Sequence, residues 1–198
     1  MKKIYLVLFF LFFSGFINSC SSSWLAYPDD VQYRMCDPYS DEALQMLFIP
    51  GYHEAVIIVE DCSLFRRQKV AIALQNFELA WSHHFGEDPY VFRNLRNLAI
   101  TFSSAKKMQM GYSADGSFTT NGLISGSTLS KETVWIYTPP STMRICETSL
   151  IHELVHASLW VRNGHGDPDH TGVKFFGWSY KHYALIDQVN RYLCTLGI

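Results

Sequence analysis

The sequence predicts an α+β domain, and three observations predict it. An amphipathic helical pattern runs over residues 65–85, with Val70, Leu74, Phe77 and Trp81 on one face. A stretch of short β-prone pieces broken by Gly, Ser and Asn follows, and then a strongly apolar helix carries His152-Glu153-Leu154-Val155-His156. Helices and strands that fall in blocks belong to the α+β class, here with a small, mostly antiparallel sheet.

The chain opens with Met1-Lys2-Lys3, an apolar run from Ile4 to Phe13, and a small-residue segment ending at Cys20. These are the three parts of a secretory signal, and the apolar run is too short for an ordinary transmembrane helix. Residues 1–19 are read as the signal peptide. Ile17-Asn18-Ser19-Cys20 resembles a bacterial lipobox, which implies cleavage before Cys20 and lipidation of that residue. Residues 20–30 then form a polar tether, and 31–198 a single domain held to the membrane by the lipid anchor. Ser rather than Asp follows Cys20, which by resemblance to lipoprotein sorting implies the outer membrane, facing the periplasm or the surface. More than one acyl chain is needed, since a single chain binds a bilayer only marginally. The alternative is a plain secretory signal with an incidental Cys20.

Four cysteines remain: Cys36, Cys62, Cys146 and Cys194. An even number outside the cytoplasm is read as a disulfide framework with three possible pairings. The favoured pairing is Cys36–Cys62 with Cys146–Cys194; four buried thiols are the alternative. A mature length of about 178 residues suits one domain with a real core. The formal net charge is −2 and no basic run occurs, so nucleic acid is not an expected partner.

Residues 24–50 read as irregular, with a turn at Asp37-Pro38 and a short helix around Asp41–Leu47. Ala55 to Val59 is β-branched and apolar, a buried strand. His83 and His84 close the long helix as a solvated terminus, where cations favour the dipole. Leu98 to Phe102 is a second strand. Between Gly111 and Thr138, Asp115-Gly116 and Asn121-Gly122 are both favoured hairpin turns. Val134 to Tyr137 is the last strand, stopped by Pro139-Pro140. One strand from Gly111–Leu129 is expected to border a cleft and to bind an extended peptide by strand addition. The final helix is expected over Val173–Leu193.

The chemistry sits in the motif. Residues four apart share a helix face, so His152 and His156 can reach one metal ion. Neutral imidazole is a strong Zn²⁺ ligand, and Glu153 is the general base beside it. Leu150, Leu154 and Trp160 pack inward, Thr148 or Ser149 caps the start, and Gly164 closes the end. A catalytic zinc takes a third protein ligand and leaves one position open. No Glu follows Glu153, and Leu159 and Arg162 break the longer H-E-x-x-H-x-x-G-x-x-H pattern. The remaining candidates are His165, His170, His182, Asp167, Asp169 and Asp187.

The stretch from Thr148 to Tyr183 resembles the SprT-like zincin metallopeptidases. The matching residues are His152-Glu153-Leu154-Val155-His156-Ala157, the apolar helix end at Trp160-Val161, a polar Gly-rich loop, and His170 ahead of Phe175 and Phe176. Thr171 departs from the pattern, which places Gly directly after the third His. The resemblance implies a zincin-like fold and His170 as the third ligand of one Zn²⁺ per chain, with His165 the runner-up. Tyr180, His182 and Tyr183, past His170, are candidates to face the metal cleft; Tyr180 and Tyr183 are the candidate oxyanion stabilisers.

The expected function is a zinc metallopeptidase of the cell envelope acting on a protein or peptide, with peptidoglycan cross-links a weaker substrate. The alternative is a catalytically weak zinc-binding lipoprotein that serves as an envelope binding or assembly factor.

Overall fold

Val70, Leu74, Phe77 and Trp81 form one apolar stripe along helix α1 (Arg67–Phe85), and all four are buried. That stripe packs on the edge of a sheet and on the last helix of the chain. A computed structural model describes residues 22–26, 47–59, 67–103, 107–112, 118–139, 142, 144–167, 170 and 177–198. The signal peptide, Cys20, Cys36, Cys62, Asp169, Phe175 and Phe176 lie outside the described residues. So does most of the helix expected around Asp41–Leu47, and Leu47 itself opens a strand.

The strands are β1 (Ser22–Ala26), β2 (Leu47–Ile49), β3 (Tyr52–Val59), β4 (Ala99–Ser103), β5 (Lys107–Tyr112), β6 (Phe118–Ile124), β7 (Gly126–Ser130) and β8 (Thr133–Tyr137). Five of them form one sheet in the order β2-β3-β4-β8-β7, and β1-β5-β6 form a smaller antiparallel sheet. The class is α+β, but the larger sheet is mixed rather than mostly antiparallel. Its two central pairings, β3 with β4 and β4 with β8, are parallel, and its outer pairings are antiparallel. The cause is connectivity. Helix α1 and a second helix, α2 (Pro89–Leu95), carry the chain back across the sheet between β3 and β4, and a helical crossover makes neighbours parallel.

Helix α2 is too short for its periodicity to show. Its start is nevertheless well specified: Asp88 accepts hydrogen bonds from the Tyr90 and Val91 amides at 3.2 and 3.1 Å, and Pro89 follows. Such a cap contributes about 1 kcal/mol, and proline suits the first helical position. Asn121-Gly122, expected as a turn, lies inside β6. The ladder there pairs Met108 with Leu123 and Gln109 with Asn121, so Gly122 is the extra residue of a bulge.

Two more helices complete the core. Helix α3 (Leu150–Asn163) buries Leu150, Ile151, Leu154 and Val155 against β7, β8 and α2. Helix α4 (Tyr180–Thr195) buries Leu185, Val189 and Leu193 against α1 and α3. It begins at Tyr180, with Ser179 extended at its N-cap, whereas the expected start at Val173 lies outside the described residues. No described helix is long and apolar enough to cross a membrane.

A disulfide joins Cys146, in the short 3-10 turn before α3, to Cys194 at the end of α4. The Cys146 amide also donates to the carbonyl of Ile198 at 3.2 Å. The bridge spans 48 residues, a loop length for which the chain-entropy model gives about 4 kcal/mol. Replacing both cysteines by Ser should lower the unfolding free energy by about 2–4 kcal/mol in urea titrations under non-reducing conditions. An unchanged midpoint would show that the crossing of α3 and α4 does not need the bridge.

Candidate metal centre

The start of α3 is set by neighbours more than by its own caps. Ser149 stands at the N-cap, but its hydroxyl donates to the Ser125 carbonyl at 2.7 Å, pinning the helix to the bend before β7. Thr148 accepts the Leu150 amide at 3.2 Å instead. Fourteen residues on, Gly164 ends the helix in the left-handed region at φ 77°.

Between these ends the four-residue spacing places the His152 and His156 Nε2 atoms 3.1 Å apart. The Nε2 of His170, supplied by the loop after α3, lies 3.1 Å from that of His156. These three form the one group of potential metal-ligating side chains gathered among the described residues, with ligand atoms all within 4.8 Å of one another. Zinc bound at its usual Zn–N distance in a tetrahedron needs ligand nitrogens about 3.3 Å apart, so the donor set fits. The tautomer fits as well. His156 Nδ1 lies 2.6 Å from the Gly166 carbonyl, which only accepts, so Nδ1 carries the proton and Nε2 presents its lone pair.

Burial favours the neutral form of two of the three imidazoles. Loss of solvent, with help from the neighbouring rings of His156 and His170, lowers the pKa of His152 to about 4. Burial also lowers that of His156, against the opposing pull of Gly166 and Asp167.

Glu153 faces the edge strand. It is 5% exposed, and burial pushes its pKa up to about 7 while the hydrogen bond from Thr128 pulls it down. The Thr128 hydroxyl lies 2.9 Å from both the Glu153 Oε2 and the Glu153 carbonyl. Two residues earlier, a Cβ at Gly126 would sit 2.3 Å from Ser149 Oγ and 2.7 Å from Glu153 Oε1. Only glycine lets β7 come this close to the carboxylate. Gly126 and Thr128 share one face of the strand, and that alternation was the only signal of their role in the sequence.

The loop after Gly164 is folded tightly. Asp167 and His170 have φ of 48° and 53°, in the left-handed region that costs an ordinary residue about 1–2 kcal/mol. Asp167, buried, accepts the Trp178 amide at 2.6 Å. The Trp178 ring lies 4.1, 4.6 and 4.9 Å from the rings of His170, His156 and His152, forming a floor under all three. Nothing in the sequence marks Trp178, because its contact depends on where the loop returns.

The other candidates fall elsewhere. His165 is outside the group, and its Nδ1 accepts the Asp167 amide at 3.1 Å. Asp187 pairs with Arg191 on the exposed face of α4. His182 is buried, stacked on Phe85 at 4.5 Å, with Nδ1 accepting the Ser179 amide; burial, then Arg162, lowers its pKa to about 4. It belongs to the core rather than to the cleft. Tyr183 is half exposed, its ring 6.3 Å from His170, while Tyr180 is largely exposed. No family model, curated protein or solved structure matches the chain.

The metal-free protein should show a pH dependence with two opposing parts. His152 and His182 have folded pKa values of about 4 against 6.5 ordinarily, so they contribute stability at neutral pH that is lost as pH falls from 6.5 towards 4. Glu153, about 7 against 4.5, binds its proton more tightly when folded, and its contribution grows over the same fall. Urea unfolding with chelator at pH 7, 6 and 5 should therefore show net loss on acidification, and a steeper loss for Glu153→Gln. An equal or shallower slope in that variant would contradict the burial of the carboxylate.

Proposed function

We propose that this chain is a zinc-dependent metallopeptidase of the cell envelope, of the SprT-like zincin kind, that cleaves peptide bonds in proteins or peptides. The observation that carries the reading is the convergence of three imidazole Nε2 atoms beside a buried carboxylate on the same helix. Three protein ligands with no fourth among the described residues is the pattern of a catalytic site, since structural zinc sites close the fourth position. When bound, zinc supplies Lewis-acid polarisation of a carbonyl and acidifies water.

The rest is done by the chain. His152 and His156 are held neutral by loss of solvent, and so keep their lone pairs available. Glu153 takes a proton from the attacking water on its carboxylate and later gives it to the departing amine; its burial raises its affinity for that proton. Thr128 and Gly126 hold that carboxylate in place from the edge strand. Among the described residues strand β7 has β8 on one side and no strand on the other in its sheet, so an extended peptide can pair along it within reach of Glu153. Tyr183 stands near enough to His170 to serve as the oxyanion donor, ahead of Tyr180. The signal-like N-terminus supports an envelope location, and the Cys146–Cys194 bridge suits an oxidising compartment.

Metal analysis of the purified protein should find one zinc per chain, lost in His170→Ala and retained in His165→Ala. Glu153→Gln should keep the zinc and lower hydrolysis of an unfolded protein substrate by about 10²–10⁴-fold. Zinc binding with hydrolysis that Glu153→Gln leaves unchanged would instead favour a zinc-stabilised binding or assembly lipoprotein.

A further inference from the structure

We propose that Asp167 is a positioning residue of the metal centre, setting the third histidine through two backbone amides without touching the ion. The inference rests on the metal-site reading above. Asp167 is 3% exposed, and one carboxylate oxygen and its main-chain carbonyl are committed to the same task. The carboxylate Oδ2 takes the Trp178 amide at 2.6 Å, and the main-chain carbonyl takes the His170 amide at 3.0 Å. One residue thus holds the third ligand and the indole stacked against it, 4.1 Å away at an interplanar angle of 26°. The residue just before it, Gly166, orients His156. Two consecutive residues therefore place two of the three ligands.

Three further features separate this from an ordinary loop staple. Both Asp167 and His170 adopt left-handed backbone, a conformation that surrounding bonds must enforce. Trp178 reaches all three histidine rings, so a shift of its backbone moves the floor of the whole cluster. Finally, the imidazoles bring no charge to a divalent ion, whereas Asp167 places a buried negative charge close enough to act on His156. Groups that orient and polarise ligands from behind change metal affinity by about 10–100-fold when altered.

The test uses the full chain and zinc itself, with affinity measured by competition against a chromophoric chelator. Asp167→Asn removes the charge and leaves the Trp178 amide only a neutral oxygen, a weaker acceptor than the carboxylate, and Asp167→Ala removes charge and acceptor together. Zinc affinity should fall by about 10–100-fold in Asp167→Asn and further in Asp167→Ala, while Asp187→Asn, an exposed carboxylate on α4, binds as the unaltered protein does. Cobalt(II) in place of zinc should give a changed visible spectrum in Asp167→Asn, reporting an altered ligand geometry that a merely structural role would not produce. If Asp167→Ala fails to fold, Asp167→Asn and its cobalt spectrum still decide. Affinity within twofold of the unaltered protein overturns the proposal, as does an unaltered cobalt spectrum with affinity loss matched by loss of metal-free stability. If the unaltered protein binds no zinc at all, the metal-site reading falls and this proposal falls with it. Zinc binding in the unaltered protein that Asp167→Asn leaves intact removes only this one.

Discussion

The close approach of α3 to the edge strand β7 is the constraint on which the rest of the site depends. An α-helix turns 100° per residue, so His152 and Glu153 point to different sides even though they are neighbours. That divergence lets two separate pieces of chain serve one helix. On the Glu153 side, Ser149 bonds the bend before β7, Thr128 bonds the carboxylate, and the missing Cβ of Gly126 makes room. On the histidine side, the loop from Gly164 to His170 bonds His156 and delivers the third imidazole. A larger residue at position 126 would push β7 away and leave a buried carboxylate without its hydroxyl partner, a costly state for a group this deep.

Much of this fold was legible because burial imposes periodicity. Strands β3, β4 and β8, helix α1 and the motif helix all carry apolar patterns long enough to read, and Gly164 marks the end of α3 where its backbone turns left-handed. Short or non-local features left no such trace. Helix α2 has only seven residues, and its signal was the Asp88-Pro89 cap rather than a stripe. The parallel pairing of β3 with β4 follows from a helical crossover, and that of β4 with β8 from the return of the chain through β5, β6 and β7, which local patterns do not reveal. Asp167 is the instructive case among the site residues. An acidic side chain near three histidines reads as a ligand, yet its carboxylate faces a backbone amide and leaves coordination to the imidazoles.

Charge explains why that division is favourable. Three neutral imidazoles can be buried together at modest cost, and burial itself holds His152 and His156 neutral. A carboxylate in the ligand set would add charge to the donors but weaken the Lewis acidity that an ion keeps among neutral ligands. Placing Glu153 and Asp167 just outside the donors supplies negative charge without spending it on coordination. In the proposed enzyme each would then have a second task, Glu153 towards protons and Asp167 towards backbone.

Helix α4 connects the site to global stability. Its first turn follows Trp178, which Asp167 holds against the histidines, and its last turn carries Cys194, bridged to Cys146 shortly before α3 begins. The same helix is thus tied at both ends to the neighbourhood of α3, and its buried face packs on α1 between those ties. A domain held in this way forms its three-histidine geometry from apolar packing and a covalent bridge. Metal affinity then need not be drawn on to fold the chain, unlike small zinc modules whose binding energy is their folding energy. On the proposed reading, the three imidazoles would meet an ion already oriented, so that binding energy would go into reactivity rather than folding.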